Sequence, residues 1–288
     1  MSTCTCSHLD HPLPKHSSIR RGLFLCFNGQ SESRSRIPGD SFMMEAHMAA
    51  GRFVISSRYC GPPGSGNGGY VCGRLAAYLR GPASVRLKAP PPLETGLDVE
   101  SSDAEARLKS GANVIAEARS AELDLESPTP PSFAEAEEAS KAYIGFTQHP
   151  FPGCFVCGPQ REMGDGLRIF PGWVASGSMV ASPWVPDASL GDDSNKVRSE
   201  FLWAALDCTS GFAVMPAPQG KAMVLGELGV RIDRDLPTGE KCVALGWPLA
   251  FDGRKRHCGS AIFSGSGDLI AIARATWIEV ESSAFGGQ

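Results

Sequence analysis

Two stretches of the chain space their apolar residues as helices do, and each is flanked by runs with the spacing of strands. In residues 68–79, Val71, Leu75 and Tyr78 fall at i, i+4 and i+7, which predicts an amphipathic helix. In residues 198–214, Phe201, Ala205, Cys208 and Phe212 form one stripe, while Leu202, Trp203 and Leu206 fill much of the opposite face. A helix that is apolar nearly all round is a buried one. Strand-like runs precede the helices at 52–56 and 178–181. Others follow them, at 84–88 and 93–99 after the first and at 222–232, 241–250, 257–263 and 269–280 after the second. Short turns between these runs leave room only for hairpin connections. One helix followed by hairpin-linked strands predicts an antiparallel sheet packed on that helix, formed twice.

The two stretches also share a sequence. At an offset of 155, Ile115/Ile270, Ala116/Ala271, Ala118/Ala273 and Arg119/Arg274 are identical, and Asn113 and Asp268 both occupy the preceding turn. Such self-similarity is the mark of a repeated unit. Between the copies, the Pro-rich 127–131 and the acidic 135–138 predict a linker with room for one short helix. The organisation expected is a tail over 1–43, an N-terminal domain over 44–127, a linker over 128–149 and a C-terminal domain over 150–282. The tail holds three of the six His and shows apolar character only at 23–27, too short for a secretory core. Disorder, an early start (Met43, Met44 and Met48 offer later ones) or a partial fit to a targeting segment all remain open for it.

With 288 residues, 42% hydrophobic and 20% charged, the chain is long enough to bury a sizeable core. Lys and Arg number 27 against 31 Asp and Glu, so there is no broad basic field, and no nucleic-acid partner is expected. No run of 18 apolar residues predicts a membrane span. The ten cysteines are irregularly spaced and several sit in apolar runs. They read as buried thiols of a cytoplasmic protein.

An early helix wrapped by a meandering antiparallel sheet, present twice, resembles the hotdog fold. The match runs through Gly68, Gly69, Tyr70 and Val71 in the first half and residues 205–212 in the second, and the resemblance covers about 44–282. The paired arrangement is similar to double-hotdog proteins of the acyl-CoA thioesterase II-like group. The resemblance implies an α+β double hotdog, two antiparallel sheets each wrapped around a central helix and paired edge to edge. It implies an acyl thioester such as acyl-CoA as partner, hydrolysis as the reaction, and no redox cofactor. Self-association is left open. A non-catalytic module that binds acyl groups or other small ligands is the alternative.

Asp207 is the lone charge of its apolar helix stretch, and Asp is rarely buried unless paired or functional. It is a candidate general base, or else a structural acceptor for backbone groups or an Arg such as Arg274. The resemblance implies an Asp at this place that orients a water together with a Thr and a Gln. Here Gly226, Glu227 and Ala275 stand at those positions, with Thr209, Ser210 and Glu227 as stand-ins. The Gly-rich 61–69 opens the first helix, where free N–H groups stabilise negative charge, so Asn67, Gly68 and Gly69 are candidates for holding the thioester oxygen. Asn67 alternatively serves as an N-cap. Trp203, Ser210 and the basic Arg254, Lys255 and Arg256 are candidate substrate contacts, the last three for coenzyme A phosphates. Cys154 and Cys157, in Cys-x-x-Cys-Gly, are half of a zinc knuckle. No second pair has that spacing, so the pair is expected to be reduced and metal-free, with His149, Cys60 or a partner chain the candidates to complete a site.

Overall fold

The computed structural model describes residues 49–285, an α+β fold with three α-helices and one eleven-stranded sheet. The expectations for residues 1–43 lie outside the described residues. In chain order, β1 (Ala49–Val54) leads to α1 (Gly68–Ala76), then β2 (Ala83–Leu87), β3 (Gly96–Ser101), β4 (Glu105–Ser110) and β5 (Asn113–Ser120). Next come α2 (Phe133–Lys141), β6 (Gly172–Trp173), β7 (Val180–Trp184) and α3 (Ser199–Phe212). The chain closes with β8 (Lys221–Ile232), β9 (Cys242–Asp252), β10 (Lys255–Ser264) and β11 (Leu269–Glu281). The first helix is shorter than its apolar spacing predicts. After Ala76 the N–H groups of Tyr78 and Leu79 bond Leu75 and Ala76, tightening the chain into the turn at Gly81, whose φ is +73°.

The sheet order is β1-β3-β4-β5-β2-β8-β11-β10-β9-β7-β6, and every neighbouring pair is antiparallel. Outward from the β2–β8 pairing, the two sides carry the same sequence of strands: the strand after the helix, then the last, the one before it, and so on to the strand that precedes the helix, beyond which the second side adds β6 at its edge. The 155-residue offset is therefore also a topological one, with β5 and β11 in matching places. Ala116 and Ala271 are both fully buried, while Arg119 and Arg274 are exposed.

The seam between the sides runs from Ala83↔Val230 to Arg86↔Glu227. Glu227 clamps it from β8: its carboxylate accepts from Ser84 Oγ at 2.7 Å and from Arg86 Nε and Nη2 at 3.0 and 2.7 Å. Arg119 on β5 adds an ion pair at 3.6 Å. Partial burial pushes the Glu227 carboxyl upward, but the Arg86 and Ser84 hydrogen bonds more than offset this and leave it below its ordinary value.

Between the repeats, α2 starts on a capping box in which Ser132 and Glu135 satisfy each other's backbone N–H groups. It packs on β6, β7 and β9. The other two helices pack against each other. α3 is buried from Phe201 to Phe212, and α1 meets it through glycines. A Cβ at Gly73 would lie 2.6 Å from Glu200 Cα and 2.9 Å from Trp203 Cβ. Glycine lets the two backbones approach, and a larger side chain would push them apart.

Two consequences follow. Gly73→Ala should lower stability by about 1–3 kcal/mol in urea denaturation, because the neighbours at this contact are backbone and a packed indole; an unchanged midpoint would show that the helices do not approach in this way. Glu227→Gln should cost about 1 kcal/mol near neutral pH. A carboxyl held low in the folded state stabilises above its unfolded pKa and loses that contribution as pH falls through the folded value. The gap between variant and parent should therefore close in acid, and a pH-independent gap would contradict the clamp.

Candidate functional site

The contact between α1 and α3 creates the polar centre of the molecule. The residue before α1, Asn67, caps it: Oδ1 accepts from Tyr70 N at 2.9 Å. Gly69, the second residue of α1, has no side chain because α3 leaves no room; a Cβ there would lie 2.4 Å from Asp207 Cβ and 2.6 Å from Trp203 O. Its N–H donates instead to Asp207 Oδ2 at 2.8 Å, and Asn67 Nδ2 donates to the same oxygen at 3.2 Å. Asp207 is 2% exposed. Its other oxygen, Oδ1, is buried with no partner among the described residues. Burial pushes the Asp207 carboxyl up to about 7, against the downward pull of the Gly69 N–H.

Asp207 opens on a cavity of about 460 Å³ that Asn67, Gly68, Cys154, Cys208 and Trp277 also line. Apolar side chains such as Met223, Leu225 and Phe212 make up much of its wall. Gly68, the first residue of α1, contributes an N–H with no acceptor within the helix. Exposed Arg254, in the β9–β10 turn, belongs to the same lining.

The candidates named from the sequence thus divide. Asp207, Asn67, Gly68 and Gly69 come together. The Gly69 N–H and the Asn67 amide are already engaged by the carboxylate, so they fix Asp207 and do not stand free to receive a thioester oxygen. Arg274 is not the partner of Asp207; it is exposed and donates to Asp124 O at 3.1 Å. Trp203 is buried against α1 at Gly73, away from the cavity. Ser210 Oγ donates to Asp207 O at 2.7 Å and accepts from Trp277 Nε1 at 2.9 Å, so it is spent on structure. Thr209 bonds back to Ala205 O at 2.7 Å and Glu227 belongs to the seam, so none of the three stand-ins faces Asp207 across the cavity. The basic run splits as well. Arg254 lines the cavity, Lys255 is exposed outside it, and Arg256 pairs with Glu279 and donates to Val214 O at 2.7 Å.

Two features go beyond the sequence reading, which named His149 only as a candidate metal ligand and gave Cys208 no chemical role. His149 Nδ1 accepts from Phe151 N at 2.9 Å, which leaves the proton on Nε2, and that atom, in a residue of the cavity wall, is buried without a partner among the described residues. Burial holds this His below its ordinary pKa and favours the neutral ring. The second is Cys208, whose sulfur lies 3.8 Å from that of Cys154 and 3.7 Å from Asn67 Nδ2. Its place next to Asp207 on a stripe of α3 was the available signal.

No family model matches the sequence, and no curated protein matches it. Solved structures do. The chain is similar to the tesB protein MAP1729c of Mycobacterium avium subs paratuberculosis, with 12% identity over 80% of this chain and 93% of that one and a TM-score of 0.52. A putative oleoyl thioesterase from Lactobacillus plantarum aligns over 82% of this chain and 98% of its own at 10% identity and a TM-score of 0.48. These neighbours are hotdog-fold thioesterases. At such identity the likeness to the tesB protein is one of fold alone.

The Asn67–Asp207 contact is open to test. Asn67→Ala should cost about 1–2 kcal/mol through the lost cap. Asn67→Asp keeps a capping oxygen but sets a second carboxylate against Asp207, so it should cost more than the alanine. A neutral or stabilising Asn67→Asp in chemical denaturation would place Asn67 elsewhere.

Proposed function

We propose that this chain is a double-hotdog protein, with repeats over about 44–127 and 150–282, that hydrolyses an acyl thioester of the acyl-CoA class in a reducing, cytoplasmic setting. One observation carries the reading: a buried carboxylate in the wall of a largely apolar cavity is fixed through Oδ2 by the start of α1, while its Oδ1 has no partner among the described residues. The apolar wall suits an acyl chain. Water held at Oδ1 attacks the thioester carbonyl carbon, and its proton passes to Asp207. Charge developing on the carbonyl oxygen is met by the Gly68 N–H and the positive end of α1. As the tetrahedral adduct collapses, the carbon–sulfur bond breaks and the thiolate leaves with the proton from Asp207. Arg254, which makes no ion pair with a described residue, is placed to meet the phosphates of a coenzyme A moiety.

A specific observation favours the second reading, a module that binds the acyl group without cleaving it. Among the described residues no Thr or Gln lines the cavity with Asp207, and the one Ser that does, Ser65, donates its Oγ to Gly66 O at 3.4 Å. Thiol release from a series of acyl-CoA lengths separates the two. Under the hydrolase reading, Asp207→Asn should leave the fold intact and lower turnover by about a hundredfold or more, the scale of losing a general base. Saturable binding with no thiol released by the parent chain would establish the binding module. Full turnover by a folded Asp207→Asn would remove Asp207 from the chemistry.

A further inference from the structure

Residues 147–171 cross the molecule with no helix or strand, yet Cys154, Phe155, Val156, Cys157 and Ile169 within them are buried. A buried irregular segment needs something to hold it. At its centre is a tight knuckle: Cys154 N bonds Phe151 O at 2.9 Å and Gly158 N bonds Cys154 O at 2.9 Å. This folds the Cys-x-x-Cys pair so that both sulfurs point the same way, toward α3. There Cys208 supplies a third. The Sγ atoms of Cys154, Cys157 and Cys208 all lie within 4.8 Å of one another, and those of Cys154 and Cys208 are 3.8 Å apart.

That spacing is informative. Tetrahedral zinc with Zn–S near 2.3 Å sets its sulfur ligands about 3.8 Å apart. Asn67 Nδ2 lies 3.9 Å from the Cys154 sulfur and 3.7 Å from that of Cys208. The two ligands first considered from the sequence do not serve. Cys60 is held by Gly153 O at 3.3 Å and Arg161 Nη2 at 2.9 Å, and His149 carries its proton on Nε2.

We propose that Cys154, Cys157 and Cys208 form a binding site for one thiophilic divalent cation, of which zinc is the type. The ion replaces three thiol protons, which pass to solvent, and ties the 147–171 segment to α3. All three residues line the cavity, so the fourth coordination position is filled by solvent from that side. This proposal departs from the expectation of a metal-free pair, which rested on the missing second Cys pair; the third sulfur belongs to a helix some fifty residues further along the chain.

The test loads the full chain, purified under reducing conditions, with zinc alone. Metal analysis should give one zinc per chain, and cobalt in its place should show sulfur-to-cobalt charge-transfer absorption. Cys157→Ser and Cys208→Ser should each weaken zinc binding at least tenfold, while Cys258→Ser and Cys72→Ser, buried but outside the trio, should keep it. Should Cys208→Ser fail to fold, the cobalt spectrum of the parent chain decides alone. Zinc far below one per chain, loss of zinc equally in the Cys258→Ser control, or a disulfide that consumes two of the three thiols would each overturn the site. Thiol release from acyl-CoA is read on the same preparation. Zinc binding without turnover supports the site and counts against hydrolysis, whereas turnover by a chain that takes up no zinc when loaded overturns the site and leaves hydrolysis standing.

Discussion

Everything at the centre of this molecule depends on how closely α1 approaches α3. Gly69 and Gly73 let the backbones meet, and the Gly69 N–H then falls within hydrogen-bonding reach of Asp207. An unpaired carboxylate in an apolar helix would be costly, and here one of its oxygens is satisfied by a helix start and a capping amide. The other has no partner among the described residues, in a side chain that lines the cavity. A single steric condition, the lack of side chains on one face of α1, thus fixes the fold at its core and orients the group with the greatest chemical potential.

The sheet makes that approach reproducible. α1 packs mainly on the β2 side and α3 on the β8 side, so the hydrogen bonds and the Glu227 clamp across β2 and β8 set the distance between the helices. Pairing at this seam also removes an exposed strand edge from each repeat. Ser260 Oγ, from β10, donates to Leu206 O at 2.8 Å and ties α3 down one residue before the aspartate. The carboxylate is held from above by α1 and from below by the sheet.

Much of this was legible in the sequence. The apolar spacing around Val71 and Leu75 and around Phe201 and Ala205 marked both helices, and the 155-residue offset marked strands that occupy matching places. A lone Asp on an all-apolar stripe identified Asp207, and the Gly-rich approach to α1 identified the residues that meet it. What was not legible is pairing at a distance. Nothing near Arg256 in the chain shows that Glu279 claims it, and nothing near Gly69 shows that its N–H is already engaged. Trp203 reads equally well as a cavity wall or as packing until α1 is seen to cover it. Cys208 joins Cys154 and Cys157 only because α3 passes over the knuckle, and spacing along the chain carries no trace of that.

The central claim is that Asp207 activates water and does not itself attack the thioester. A single turnover of acyl-CoA in water enriched with oxygen-18 tests this directly, by mass spectrometry of the released acid and of the peptide that carries Asp207. General-base action predicts one heavy oxygen in the acid from the first turnover and none in the peptide. Unlabelled acid with the label in the Asp207 peptide, or no acid at all, would contradict it.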